Sequence, residues 1–407
     1  MTITITPARL KGAITPPPSK SQAHRLLIAA ALAQGESIIS NVAYSQDIEA
    51  TLDCLGQLEA MITRQEDHIH IWGIGRPDHE EDSLPKFNCR ESGSTLRFMI
   101  PVALAVAQGG LFTGSGRLLE RPQGPYQRLF AEKGILFDQT PNSIFVKGKL
   151  TSGIYKLPGD VSSQFITGLL YALPILEGDS EIVLTSKLES KDYVDMTILA
   201  LEAFGVVVDK TEWGYRIPGG QRYRAGQLAV ESDYSQAAFY YAANGLRNVV
   251  SIEGLNAFSA QGDMRIAPYY VKLCGDGYVE LDVSQCPDLV PPLAVHAALR
   301  AGQTTAIVNA ARLRMKESDR LAAVTQELNK LGAKVEEHPD HLIIHGVDQL
   351  HGGQVDAHND HRIAMMLAIA ATRADGPITL TGAESVNKSY PNFWDHYQSL
   401  GGQITVL

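Results

Sequence analysis

Apolar and polar positions along the chain fall into a pattern that recurs six times. Each copy opens with a helix rich in alanine and leucine and apolar on nearly every face. Only its N-terminus is polar. The first is 20–33 (KSQAHRLLIAAALA), and apolarity all round predicts a mostly buried helix. A short apolar strand follows, as in 37–40 or 378–380. Then come a polar loop and a second, amphipathic helix that stops at a glycine. These glycines are Gly56, Gly134, Gly205, Gly275, Gly332 and Gly401, spaced by 78, 71, 70, 57 and 69 residues. Glycine is expected there because the position after the last turn commonly takes a left-handed conformation. One or two strands follow each glycine, such as 334–337 and 341–344. The unit therefore reads α-β-α-β-β, with another strand supplied before it. Alternating helices and strands predict parallel pairing through crossovers. The fourth unit is short: only 278–283 separates Gly275 from the next helix start, so it should lack a full hairpin.

Six units are too many for one core, so an α/β chain of two domains with three units each is expected. The weakest join lies near 218–232. The N-terminal strand, 3–13, is extra to the first unit and is assigned to the other domain. The expected domains are 19–231 and 1–18 plus 232–407, with the active site in the cleft between them.

Composition narrows the function. The 407 residues carry a formal net charge of −10 with no basic tail, which argues against nucleic acid as a partner. Any anion site must be a local gathering of Lys and Arg. Cys54, Cys89, Cys274 and Cys286 form no CxxC pair and match no zinc spacing, so no metal is expected and a reducing, cytoplasmic setting is. The N-terminal MTITITPARL lacks a charged segment followed by an apolar one, and no apolar stretch reaches spanning length, so neither a signal peptide nor a membrane anchor is expected. His68 and His70 alternate with Ile69 and Ile71 and read as the wet face of a strand.

The polar chemistry gathers at the helix starts. Pro16-Pro17-Pro18 leads extended chain into Ser19, an N-cap, followed by Lys20, Ser21 and Arg25 in the first turns. N–H groups and the positive dipole end point out of such a start, which suits a phosphate. Variants recur at Glu91-Ser92-Gly93-Ser94-Thr95-Leu96-Arg97, Ser162-Ser163-Gln164, Ser232-Asp233-Tyr234-Ser235-Gln236, Gln285-Cys286-Pro287-Asp288 and Asn359-Asp360-His361-Arg362. Simple capping explains any one of these. Three polar residues in Ser162-Ser163-Gln164 exceed what a cap needs, and a charged pair such as His361-Arg362 inside an apolar helix is costly unless paired. Further basic groups follow equivalent strands: Arg117 to Arg121, Ser190-Lys191-Asp192-Tyr193, Arg312 to Arg320, and Lys388. A solvated helix start with salt bridges is the plain reading of 312–320. Its recurrence after equivalent strands favours function.

Six of these elements in order, on a sixfold repeat, resemble the EPSP synthase family of enolpyruvyl transferases from end to end. They are Pro18-Ser19-Lys20-Ser21 with Arg25, Ser92-Gly93-Ser94-Thr95 with Arg97, Glu120-Arg121-Pro122, Ser162-Ser163-Gln164, Lys316-Glu317-Ser318-Asp319-Arg320 and Asn359-Asp360-His361-Arg362. The resemblance implies an inside-out barrel of two domains, each of three βαβαββ units, closing over its substrates. It implies transfer of enolpyruvyl from phosphoenolpyruvate to the 5-hydroxyl of shikimate 3-phosphate through a tetrahedral ketal, with loss of phosphate and without cofactor or metal.

The resemblance also implies roles. Lys20, Ser21, Arg25, Ser162, Ser163, Gln164, Ser190, Tyr193, Asp288 and Lys316 would hold shikimate 3-phosphate. Lys20, Gly93, Arg121, Gln164, Arg320, Arg362 and Lys388 would hold phosphoenolpyruvate. Arginine forks suit both anions, and Gly93 suits a close backbone approach. Asp288 would be the base for the 5-hydroxyl, with Glu317 and Lys20 handling the methylene proton and His361 close by. A carboxylate among cations has a low pKa, so an acid role for Glu317 depends on a closed, partly dry site. The chain departs from many relatives at Phe98, at Glu91 and in its fourth unit, and Arg312 stands where some relatives bind substrate through asparagine. The partners implied are two small molecules, with neither nucleic acid nor membrane, and the state a monomer. The UDP-N-acetylglucosamine enolpyruvyl transferases share the architecture but generally carry a cysteine before the Arg-Pro, and 114–121 has none. A non-catalytic phosphometabolite binder would need no Asp288, Glu317 and Lys20 together.

Overall fold

A computed structural model describes residues 1–66, 68–74 and 84–407. They divide into two compact units: one of 1–17 with 232–407, and one of 18–231. Each unit has its own apolar core, with no buried core residue shared between them.

In the 18–231 unit the helices are α1 (Lys20–Leu32), α2 (Gln46–Gln57), α3 (Gly93–Ala107), α4 (Gly124–Glu132), α5 (Ser163–Ala172) and α6 (Lys191–Ala203). In the other unit they are α7 (Tyr234–Gly245), α8 (Ile266–Cys274), α9 (Val290–Ala298), α10 (Arg320–Lys330), α11 (His361–Ala371) and α12 (Phe393–Ser399). The first helix of each repeat is the buried one. Every residue of α9 and α11 is buried, because each is apolar on all faces and has a neighbour on all of them. The second helices are amphipathic and keep one wet face, as α2 and α10 do.

Five repeats build a four-stranded sheet of one kind. In the third, Gly153–Leu157 pairs parallel with Ser180–Leu184, which pairs antiparallel with Gly214–Ile217, which pairs antiparallel with Asp209–Lys210. The expected parallel pairing thus holds for one strand pair per sheet, while the hairpin after the glycine adds antiparallel edges. The first repeat borrows its leading strand, Gln227–Ala229, from the far end of the unit. The sixth ends on Gln403–Val406 and takes its remaining strand, Thr2–Thr6, from the N-terminus. The fourth repeat has no hairpin among the described residues. Its sheet is the parallel pair Lys11–Ile14 and Val249–Ile252.

Five of the six first helices are capped by the residue that precedes them: Ser19, Ser92, Ser162, Asp233 and Asp360 each accept a backbone N–H of the first turn. The exception is α9, entered through a turn of 3-10 helix at Pro287–Leu289. The terminal glycines differ from expectation at two places. Gly134, Gly205, Gly332 and Gly401 have positive φ. Gly56 instead lies inside α2, and Glu59 makes the left-handed turn at φ 69. Gly275 is extended, at φ −82 and ψ 167, and Gly277 takes the positive φ instead, at 90.

Candidate active site

In the 18–231 unit the polar helix starts converge on two arginines. Arg25 is buried. Its Nε donates to Thr197 Oγ1 at 2.9 Å, Nη1 to the Ser21 carbonyl at 2.6 Å and Nη2 to the Tyr193 carbonyl at 2.9 Å. Its guanidinium also lies 5.3 Å from the Phe98 ring centre and 5.8 Å from that of Tyr193. This ties the start of α1 to the start of α6, where Ser190 stands in a left-handed backbone at φ 52. Lys20 Nζ lies 2.7 Å from Asp47 Oδ2 at the start of α2.

The second centre is Gln164, at the start of α5. Its Oε1 accepts from Arg97 Nη1 at 2.7 Å, and its Nε2 donates to Ser94 Oγ at 3.0 Å. Arg97 also donates to the Pro122 carbonyl at 3.1 Å and lies over the Phe165 ring. Gly93 sits against this group: a Cβ there would come within 2.8 Å of Arg121 Nη1 and 3.6 Å of Gln164 Oε1. Lys20, Gly93, Arg121 and Gln164 all belong to helix starts or to the loop before α4. Ser163 is buried beside Ser162, whose hydroxyl is occupied as the cap of α5.

In the other unit the site is an alternating charge network. Asp288 Oδ1 accepts from Arg320 Nη1 at 2.8 Å and lies 3.3 Å from Lys316 Nζ, while Oδ2 lies 3.3 Å from Arg362 Nη2. Arg320 is 1% exposed and spends its whole fork inside the network. Nη2 donates to Glu317 at 2.6 Å and Nε to Asp360 at 2.7 Å. Asp360, fully buried, also accepts from Ser318 Oγ and from the Arg362 backbone N–H. Lys388 Nζ donates to the Asn359 carbonyl, and His361 is buried beside Asp360.

The electrostatics follow from that count. Burial alone would raise the Asp288 carboxyl, but Arg362, Lys316 and Arg320 outweigh it and hold it well below the ordinary carboxylate range. Burial lowers the Lys316 ammonium against the pull of Asp288. Burial would lower Arg320 as well, yet Asp360, Glu317 and Asp288 raise it above the ordinary arginine value. A set of buried cations whose partners are carboxylates can exchange those partners for the carboxylate or phosphate of a ligand.

Comparison with known proteins gives the family. The family model described as EPSP synthase (3-phosphoshikimate 1-carboxyvinyltransferase) matches residues 5–278 and 273–397. The chain belongs to the EPSP synthase family. It is 45% identical to the 3-phosphoshikimate 1-carboxyvinyltransferase of Clostridium kluyveri, over 99% of this chain and 98% of that one. It is 43% identical to the enzyme of the same name from Clostridioides difficile, over 98% and 97%. The solved structure of EPSP synthase from Acinetobacter baumannii superposes with a TM-score of 0.80 over the whole of both chains, at 24% identity, a likeness of fold.

Within the family frame, the sequence picked out the two groups but not the partners that hold them. Asp47, Thr197, Asp360 and Arg97 each bond a predicted site residue. Asp360 and Arg97 stood within noted motifs. Asp47 reads only as an acidic residue in the first turn of an amphipathic helix, and Thr197 is one apolar-face threonine among many, so neither carried a signal of its own. In 312–320 two readings divide the residues. Arg314 is the solvated ion-pair residue, bonded to Asp319 and Glu337, and Arg312 donates to the Ser284 carbonyl. Lys316 and Glu317, both half-buried, join the buried Arg320 in the network. No helix among the described residues is long and apolar enough to cross a membrane.

Proposed function

We propose that this chain moves the enolpyruvyl group of phosphoenolpyruvate onto the 5-hydroxyl of shikimate 3-phosphate, and that the two groups of residues act on these substrates together, as a cytoplasmic monomer. Arg25, Ser162, Ser163, Gln164, Ser190 and Tyr193, with Lys20 and Ser21, take the shikimate phosphate and ring. Arg121, Gly93, Arg320, Arg362 and Lys388 take phosphoenolpyruvate. Asp288 removes the proton of the 5-hydroxyl as its oxygen attacks C2 of phosphoenolpyruvate, and C3 accepts a proton from Glu317 or Lys20. The ketal then returns the C3 proton, C2 and C3 form a double bond, and phosphate leaves with the C2–O pair.

The observation that carries this reading is the Asp288 network. A carboxylate held at low pKa by three cations is a weak base. Once an anionic substrate shares Arg320, Arg362 and Lys316, its basicity rises where the hydroxyl arrives. The deciding assay follows phosphate release with phosphoenolpyruvate and shikimate 3-phosphate. Release with UDP-N-acetylglucosamine and none with shikimate 3-phosphate would overturn the proposal.

A further inference from the structure

The starts of α1, α2 and α3 are joined by buried side chains that the chemistry above leaves unused. His24 Nδ1 lies 2.7 Å from Thr51 Oγ1, and Thr51 Oγ1 lies 2.7 Å from Thr95 Oγ1. The Thr95 hydroxyl donates to Ser92 Oγ at 2.7 Å. All four residues are fully buried. Counting protons gives the chain a direction. A hydroxyl has one proton to donate. Thr95 has Ser92 Oγ at 2.7 Å and the Asp47 carbonyl at 3.4 Å to receive its proton, and with the proton on either it accepts from Thr51. Thr51 then gives its proton to Thr95 and can only accept from His24. The proton of the ring must therefore sit on Nδ1. Nε2 is the bare nitrogen, buried and without a hydrogen-bond partner among the described residues. The ring meets Phe98 edge to face, with centroids 6.4 Å apart. Burial, reinforced by Lys20 and Arg25, holds His24 well below the ordinary histidine pKa, so the ring is neutral at pH 7.

The chain ends at the residue that decides where Gly93 lies. Ser92 caps α3, accepting the Thr95 backbone N–H at 3.1 Å as well as the Thr95 hydroxyl. Gly93 is next in sequence, with Arg121 and Gln164 against it. We propose that His24, as its Nδ1–H tautomer, is a positioning residue that sets the first turn of α3 for phosphoenolpyruvate through the one-way chain His24–Thr51–Thr95–Ser92. The proposal rests on the reading that Gly93 faces phosphoenolpyruvate. Displacing a substrate-positioning group by about 1 Å is enough to cost 10²-fold in rate.

The tautomer is tested first, on the unmodified enzyme. In ¹⁵N-histidine-labelled protein, the His24 signals are those absent from His24→Asn. They should show a protonated, pyrrole-type Nδ1 and a bare, pyridine-type Nε2, and protonation at Nε2 overturns the proposal. Kinetics test the role. Asparagine places an amide nitrogen near the Nδ1 position, so His24→Asn should keep KM for phosphoenolpyruvate within about threefold. Phenylalanine keeps the volume and loses the donor, so His24→Phe should raise that KM about tenfold and leave KM for shikimate 3-phosphate within about twofold. Equal shifts of both KM values, or a tenfold loss in His24→Asn, would sink it. Gly93→Ala separates the two readings, since its methyl would press on Arg121 at 2.8 Å. If Gly93→Ala leaves KM for phosphoenolpyruvate unchanged, the placing of Gly93 is wrong. If it raises that KM and His24→Phe does not, the relay is wrong.

Discussion

At the scale of single residues, buried charge decides what each group can do. Arg320 meets Asp288, Glu317 and Asp360 with different nitrogens of one planar fork, which lysine has no geometry to copy. The Asp288 carboxylate meets three cations and caps no helix, so its removal should register mainly as chemistry. Asp288→Asn is expected to lower kcat by about 10²–10⁴-fold, the usual worth of a general base. Binding of shikimate 3-phosphate, followed by calorimetry, should survive. A kcat within tenfold of the parent would exclude Asp288 as the base. Lys20 contrasts with it: its pairing with Asp47 is largely buried, so Lys20→Ala should remove most turnover and also cost about 3 kcal/mol of stability in urea unfolding, by leaving the Asp47 charge unpaired.

At the scale of elements, two devices hold the helix starts in register. Pro101 lies inside α3, so it has no N–H for the Arg97 carbonyl four residues earlier. The Tyr126 hydroxyl fills that place, lying 2.8 Å from the Arg97 carbonyl and 3.0 Å from that of Phe165, and so pins α3 to α5. Gly168 of α5 allows the close approach, because a Cβ there would meet the Arg97 carbonyl at 2.4 Å. Tyr126→Phe leaves a buried carbonyl unpaired and should destabilise the 18–231 unit by about 1–3 kcal/mol in urea unfolding. An unchanged midpoint would refute the bridge.

The second device is the turn before α11. His358 and Asn359 both have φ 52, a left-handed pair that persists only where other contacts fix it. Glu327 supplies them: it accepts from His358 Nε2 at 2.7 Å, from the Asp356 N–H at 3.0 Å and from Lys330. The hydrogen bond to Glu327 raises the His358 pKa above its ordinary value. Burial pushes Glu327 up, and His358, Lys330 and the Asp356 N–H bring it below. The sign follows. The His358 contribution to stability is complete below about pH 6.5 and is lost as pH rises through the raised folded value. The Glu327 contribution is present above about pH 4.3 and is lost as pH falls through its lowered value. His358→Ala should therefore flatten the decline of Tm as pH rises above about 6.5. The same Tm slope in both proteins would dismiss the pair.

At the scale of the whole molecule, the chain passes between its two units at 17–18 and again at 231–232. The N-terminal strand is interior to the sixth repeat's sheet, flanked by Ile378–Thr381 and Gln403–Val406, with Ile3 and Ile5 fully buried. Removing residues 1–6 should cost that unit about 3–6 kcal/mol from the two isoleucines alone. Limited proteolysis read by mass spectrometry should then find new cuts in 353–407, with 18–231 as resistant as before. Equal loosening of both units would contradict the separate cores.

Periodicity alone determined the repeat, the short fourth unit and the buried character of the first helices, because burial on every face demands apolar residues on every face. Capping residues marked five of the six helix starts, since an N-cap is a local contract between a side chain and the next N–H groups. The proposed site residues Lys20, Arg25, Gly93, Gln164 and Arg362 were legible for the same reason: they sit in those first turns. Only the tertiary structure decided which carboxylate meets which cation. Asp288 and Arg362 are 74 residues apart, Arg97 and Gln164 are 67, and His24 and Thr51 are 27. Pairings at such separations leave no trace in local pattern. It also decided where glycine was needed, since Gly56 continues a helix and Glu59 makes the turn. The tautomer of His24 belongs to that same class, fixed by three hydroxyls from other helix starts rather than by anything beside it in the chain.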